Sequence, residues 1–117
     1  MKLVGDPAAE AWLEALSAEA FEWDSGNRSK TAKHRVEPSE VESLLRCTVF
    51  LAGRIVEPAH DEPRWLLLGE TNKGRRLALI FTRRGSKLRP SSCRQMRRNE
   101  GRLYEEAKLE SGSEEGR

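Results

Sequence analysis

RWLLLGETNKGRRLALIFT, Arg64 to Thr82, is the stretch that decides the fold. Two runs dense in Leu, Ile and Trp, Arg64 to Thr71 and Arg76 to Thr82, flank Asn72-Lys73-Gly74. Each run has the length of a strand, and Asn and Gly supply the backbone conformations a tight reversal needs. The pair is therefore predicted to be a β-hairpin. Arg84-Gly85 marks a second turn, leading into a strand over Lys87 to Cys93. Pro90 sits inside that strand without an N–H for the ladder, so the strand is expected to be an edge, bulged or short. A helix follows from Gln95 to Leu109. Glu110 to Arg117 has no apolar residue and is predicted to be a disordered tail.

Upstream of the hairpin, Glu57 to Pro63 is too rich in proline for regular structure, and Thr48 to Leu51 and Arg54 to Val56 read as a weak strand or two. Pro38-Ser39-Glu40 opens a helix with Val41, Leu44 and Leu45 inward, and Arg28 to Arg35 reads as another. Phe21-Glu22-Trp23-Asp24 alternates apolar and acidic residues as a short strand does, and Ser25-Gly26-Asn27 breaks it. Asp6-Pro7 is a good helix start, and Trp12, Leu13, Leu16 and Ala20 recur behind it at helical spacing. Helices before and after a run of antiparallel strands define an α+β fold, an antiparallel sheet packed with N-terminal helices and a C-terminal helix. At 117 residues the chain has room for one modest core.

The formal net charge of +2 hides an asymmetry. Met1 to Asp24 carries six acidic groups against Lys2 alone, whereas Arg83 to Arg102 carries eight Arg or Lys against Glu100 alone. Such a block points to an anionic partner, nucleic acid or an acidic protein segment. On the last predicted helix Met96, Leu103, Tyr104 and Ala107 share one face, while Arg94, Arg98 and Arg102 form a stripe on the other. A lone charged stripe is usually a solvated face. This one adjoins Arg83, Arg84, Lys87 and Arg89, so the cations converge. Cys47 and Cys93 allow at most one disulfide, and no signal-peptide pattern or apolar run near eighteen residues is present. A soluble protein of a reducing cytoplasm is expected, with no membrane segment. The two Cys and the two His, His34 and His60, stand at no metal-site spacing, and no phosphate-loop pattern occurs, so neither metal nor cofactor is expected.

Several of these residues, taken in order, resemble the BrnT toxins of type II toxin–antitoxin pairs. They are Phe21-Glu22-Trp23-Asp24, Lys33-His34, Arg64 at a strand start, Gly74-Arg75, and Phe81-Thr82-Arg83-Arg84-Gly85. Arg89, Ser92-Cys93-Arg94, Arg97-Arg98-Asn99-Glu100 and Tyr104-Glu105-Glu106 continue the series. The resemblance covers about Phe21 to Ala107. It implies a RelE-like ribonuclease domain over 21–109, an endoribonuclease activity, and a cognate BrnA-like antitoxin that also binds DNA. Residues 1–20 form an extra N-terminal helix without a counterpart in the family pattern. Two further departures stand out: Arg35 where the family usually has Gly after Lys-His, and Pro90-Ser91 where it has β-branched residues.

RNA cleavage without a metal needs a base for the 2′-hydroxyl, cations for the charge that builds on phosphorus, and an acid for the leaving oxygen. Arginine suits the second task, being always charged and forked onto phosphate oxygens. Arg64, Arg84, Arg89 and Arg94 are therefore the candidate catalytic cations, and His34, histidine being the residue type suited to proton transfer near neutral pH, the candidate base. Arg83, Lys87, Ser92, Arg98 and Arg102 are the candidate RNA contacts. Tyr104 and Trp12, Trp23 and Trp65 lie in apolar settings and are expected in the core. The alternative reading is a non-catalytic RNA- or protein-binding module descended from such a toxin, or an interaction protein whose basic face serves an acidic partner. In the toxin reading, the antitoxin is expected to lie over Arg83 to Arg102, and the edge at Pro90 offers it a second docking site by strand addition.

Overall fold

In a computed structural model of the protein, residues 1–17 and 19–115 are described. The hairpin forms as expected. Strand β3 (Trp65–Glu70) and strand β4 (Arg76–Arg84) pair antiparallel from Trp65↔Phe81 to Glu70↔Arg76, and Gly74 takes φ 80 in the turn between them. Its two faces bury different residues. Trp65, Leu67, Leu77, Leu79 and Phe81 belong to one core cluster, Leu66, Leu68 and Ala78 to the other. Burial on both sides explains why these runs are continuously apolar instead of alternating.

The hairpin is the centre of a five-stranded antiparallel meander in the order β1-β2-β3-β4-β5. Strand β2 (Val49–Glu57) is one strand of nine residues where a weak strand or two was expected, and its register slips between Leu51 and Gly53. The slip is a bulge at Ala52-Gly53, which breaks the alternation that marks a continuous strand. Strand β1 (Lys2–Val4) pairs with β2 across Leu3↔Ile55 and Val4↔Arg54 and was not foreseen. Gly53 has φ 148, and a Cβ built there would stand 2.6 Å from the Val4 carbonyl oxygen. Only glycine lets β1 come so close.

Helix α1 (Pro7–Glu14) starts where expected, with the Asp6 carboxylate accepting from Ala9 N at 3.1 Å, but it ends at Glu14 and not near Ala20. It buries Ala9 and Leu13, stacks Trp12 against Phe81 at 6.4 Å, and Asp6 accepts from Trp65 Nε1 at 2.8 Å. The first sixteen residues are thus built into the sheet and its core.

The expected strand at 21–24 reduces to a single bridge, Phe21↔Leu88, with Glu22 N donating to Leu88 O and Leu88 N to Ala20 O. Helix α2 (Ser25–Ala32) begins where a break was expected, because Asp24 and Asn27 cap it reciprocally. It ends before Arg35, which sits in the following turn with φ 57, the left-handed region that glycine favours. Helix α3 (Pro38–Ser43) and a 3-10 turn (Leu44–Arg46) complete the layer over the first face.

Strand β5 (Lys87–Gln95) is both edge and bulged: Phe81 opposes Pro90 and Ile80 opposes Ser92, leaving Ser91 as the extra residue. The edge is not open at Pro90, since Leu88 donates its N–H to Ala20 O and accepts at its carbonyl from Glu22 N, and Asn27 Nδ2 donates to Pro90 O at 3.1 Å. That closes the strand-addition site expected there. Helix α4 (Arg98–Glu115) covers the second face, with Tyr104 buried and its hydroxyl donating to Thr48 O at 3.0 Å. It starts after Met96, so Arg94 belongs to β5 and the expected three-arginine helix stripe does not form. The backbone at 110–115 continues α4 through part of the stretch read as a disordered tail. Residues 116 and 117 of that stretch lie outside the described residues.

Candidate anion-binding site

Arg64 immediately precedes β3 and is anchored by its carbonyl, which accepts from Ile55 N at 2.8 Å. On β4, Thr82 and Arg84 point to the same side as each other, two residues apart. The bulge at Ser91 restores register so that Arg89 lies opposite Thr82. Arg64, Thr82, Arg84 and Arg89 thereby line one pocket of about 210 Å³, closed by Asn27 and Lys30 of α2 and by Glu62. Three of the four expected catalytic arginines are brought together, from positions 64, 84 and 89.

Two polar atoms of pocket-lining residues, Arg64 Nε and Thr82 Oγ1, are themselves buried and have no hydrogen-bond partner among the described residues. Thr82 is 3% exposed. Leaving such groups unpaired costs about 1–3 kcal/mol each. Arg84 and Arg89 are internally paired. Arg84 forks onto Glu62 with both bonds at 2.9 Å, and Arg89 Nη1 lies 2.7 Å from Asp24 and 3.5 Å from Glu22. The hydrogen bond from Arg84, aided by the fields of Arg64 and Arg89, holds the Glu62 carboxyl below the usual carboxylate range. Arg89 does the same to Asp24, together with the Asn27 N–H.

The remaining expected site residues lie elsewhere. Arg94 forks onto Glu100 at 2.7 and 2.9 Å, with side chains 16% and 6% exposed, and Glu100 also accepts from Arg97 N at 2.7 Å. This arginine fastens β5 to the start of α4. Arg83 stacks its guanidinium 4.5 Å from the Trp12 ring centre. Lys87, Arg98 and Arg102 are exposed, Ser92 is half-buried beside the pocket-lining Ser91, and His34 is exposed in the turn after α2. None of these lines the pocket. Among the described residues no cluster of three His, Cys, Asp or Glu is arranged to hold a metal, and Cys47 and Cys93 are free. Burial pushes the Cys93 thiol up to about 12, so it is inert at neutral pH.

Sequence reading missed Glu62, Thr82, Asn27 and Lys30 as pocket residues. Asn27 had a local signal, standing three residues after Asp24 as a reciprocal cap partner does. Glu62 had none, because its contact with Arg84 spans 22 positions and no periodicity links them.

The fold and pocket define a class: an α+β protein with an arginine-lined cavity, arginine being a side chain whose fork matches oxyanions of the phosphate type. Residues 23–100 match the family of the ribonuclease toxin BrnT of type II toxin–antitoxin systems, and the chain belongs to that family. Type II membership implies an antitoxin partner. No curated protein and no solved structure matches the chain. No helix among the described residues is long and apolar enough to cross a membrane.

Proposed function

We propose that this toxin is a metal-independent endoribonuclease and that the pocket of Arg64, Thr82, Arg84 and Arg89 is where it holds the phosphate of RNA. The observation that carries this reading is the convergence of Arg64, Arg84 and Arg89 on one cavity, whose lining residues Arg64 and Thr82 each also hold a buried, unpartnered polar atom, Arg64 Nε and Thr82 Oγ1. When the 2′-oxygen attacks phosphorus, charge builds on the non-bridging oxygens. Fixed donors in a partly dry site stabilise that charge without reorganising, an effect worth about 3–4 kcal/mol per donor in comparable oxyanion sites. Arg84 and Arg89, held in place by carboxylates, add field and wall. His34, outside the pocket lining, is assigned no step.

The exposed cations Lys87, Arg98 and Arg102 extend the RNA contact beyond the pocket. The same surface suits an acidic segment of a BrnA-like antitoxin in a hetero-oligomer, and the cytoplasm is the compartment where such a pair acts. The test is incubation of the purified chain with RNA in excess chelator. Cleavage by the wild type, reduced on the order of 10²-fold in Arg64→Gln at unchanged melting temperature, is expected. Undiminished cleavage by that variant would remove the pocket from the mechanism.

A further inference from the structure

The pocket is lined by four cations, Lys30, Arg64, Arg84 and Arg89, and by one carboxylate, Glu62. Two more carboxylates adjoin it through Arg89, Asp24 at 2.7 Å and Glu22 at 3.5 Å. Four positive charges against three negative leave a single net positive charge. An internal phosphodiester carries one negative charge, whereas a terminal phosphate carries close to two.

We propose that Glu62 is a specificity-determining residue: held in the pocket wall by the Arg84 fork, it tunes the site to singly charged internal phosphodiesters and against doubly charged terminal phosphates. This rests on the pocket being the phosphate site. Glu62 comes from the proline-rich loop after β2 and keeps 48% of its side chain exposed, so its replacement leaves the core untouched. No other carboxylate lines the pocket among the described residues. Its repulsion of a bound anion scales with the anion's charge, while any mere blocking of the entrance acts equally on all anions.

That difference is measurable with inorganic sulfate and methyl sulfate, tetrahedral oxyanions of two and one charges, titrated by NMR into the full chain, Glu62→Gln and Arg64→Gln. In Glu62→Gln, methyl sulfate is expected to bind about threefold tighter and sulfate about tenfold tighter, the second gain being near the square of the first. Arg64→Gln should weaken both ions. Equal tightening of the two ions in Glu62→Gln reduces Glu62 to a plug and overturns the proposal. Unchanged binding in Glu62→Gln, with weakening in Arg64→Gln, overturns it too but leaves the pocket as the anion site. If neither variant alters binding of either ion, the pocket holds no anion and the proposed function falls with the specificity.

Discussion

Arg35→Gly should make the protein more stable, although it deletes a charged side chain and adds no contact. Arg35 has φ 57, and its side chain is exposed in the turn between α2 and α3. Holding a residue with a Cβ in the left-handed region costs about 1–2 kcal/mol. Glycine removes that strain but gives the unfolded chain more freedom, which offsets about 0.4–1 kcal/mol. The net expectation is a gain of about 0.5–1 kcal/mol, or roughly 2–5 °C in melting temperature for a domain of this size. The native contact at this position survives, because it is the Arg35 carbonyl that accepts from Arg75 Nη1 at 3.0 Å, and Arg75 in turn grips the buried Glu40 at 2.7 Å. Urea and thermal unfolding of the wild type, Arg35→Gly and Arg35→Ala would measure it. Arg35→Ala keeps the Cβ and should match the wild type. If Arg35→Gly is no more stable than Arg35→Ala, the strain argument is wrong and the Arg35 side chain contributes something the turn geometry does not show.

Thr82→Val, which keeps the shape and removes the unpartnered hydroxyl, should stabilise the fold by about 1 kcal/mol while weakening RNA cleavage; a destabilised variant with full cleavage would mean the hydroxyl serves the structure only. Arg94→Ala should behave in the opposite way to a site mutation, lowering stability by about 2–4 kcal/mol because Glu100 is left buried without its main partner, and any loss of activity should vanish at temperatures where the variant is fully folded. Burial pushes the Glu100 carboxyl up, but the hydrogen bonds from Arg94 and the Arg97 N–H outweigh it and leave the group below its ordinary value of 4.5. Its contribution is therefore complete above that ordinary value and is lost as pH falls through the lower folded one. Stability measured from about pH 6 down to about pH 3 should show a shallower acid decline in Arg94→Ala than in the wild type.

The central hairpin was legible because both its signals are local: apolar density within each run, and an Asn-Lys-Gly reversal between them. The bulges were less so. One extra residue at Ala52-Gly53 inverts the alternation, so a single strand reads as two fragments. A three-residue strand such as β1, whose burial alternates exposed, half-buried, exposed, carries too few positions for any period. Ser25-Gly26-Asn27 was read for its breakers, whereas the reciprocal bonds between Asp24 and Asn27 turn the same residues into a first helical turn. At the site, Arg64, Arg84 and Arg89 were singled out by the family resemblance together with arginine's fit to phosphate, and the fold brings them to one pocket. Arg94 was grouped with them on the same resemblance, whereas its fork onto Glu100 fastens β5 to α4. The carboxylates that pair these arginines were invisible, because ion pairs between distant segments leave no mark on either segment alone.

Gly53 ties two separate parts of the chain together in a way that can be used across relatives. Its missing side chain is the space that the Val4 carbonyl enters, so the terminal strand and this glycine depend on each other. A toxin of this family that carries the same added strand must keep a glycine at the bulge. Conversely, a relative with a larger residue there has either lost the strand or seats it differently. One position at the bulge of β2 thus serves as a marker for whether a relative carries the added strand.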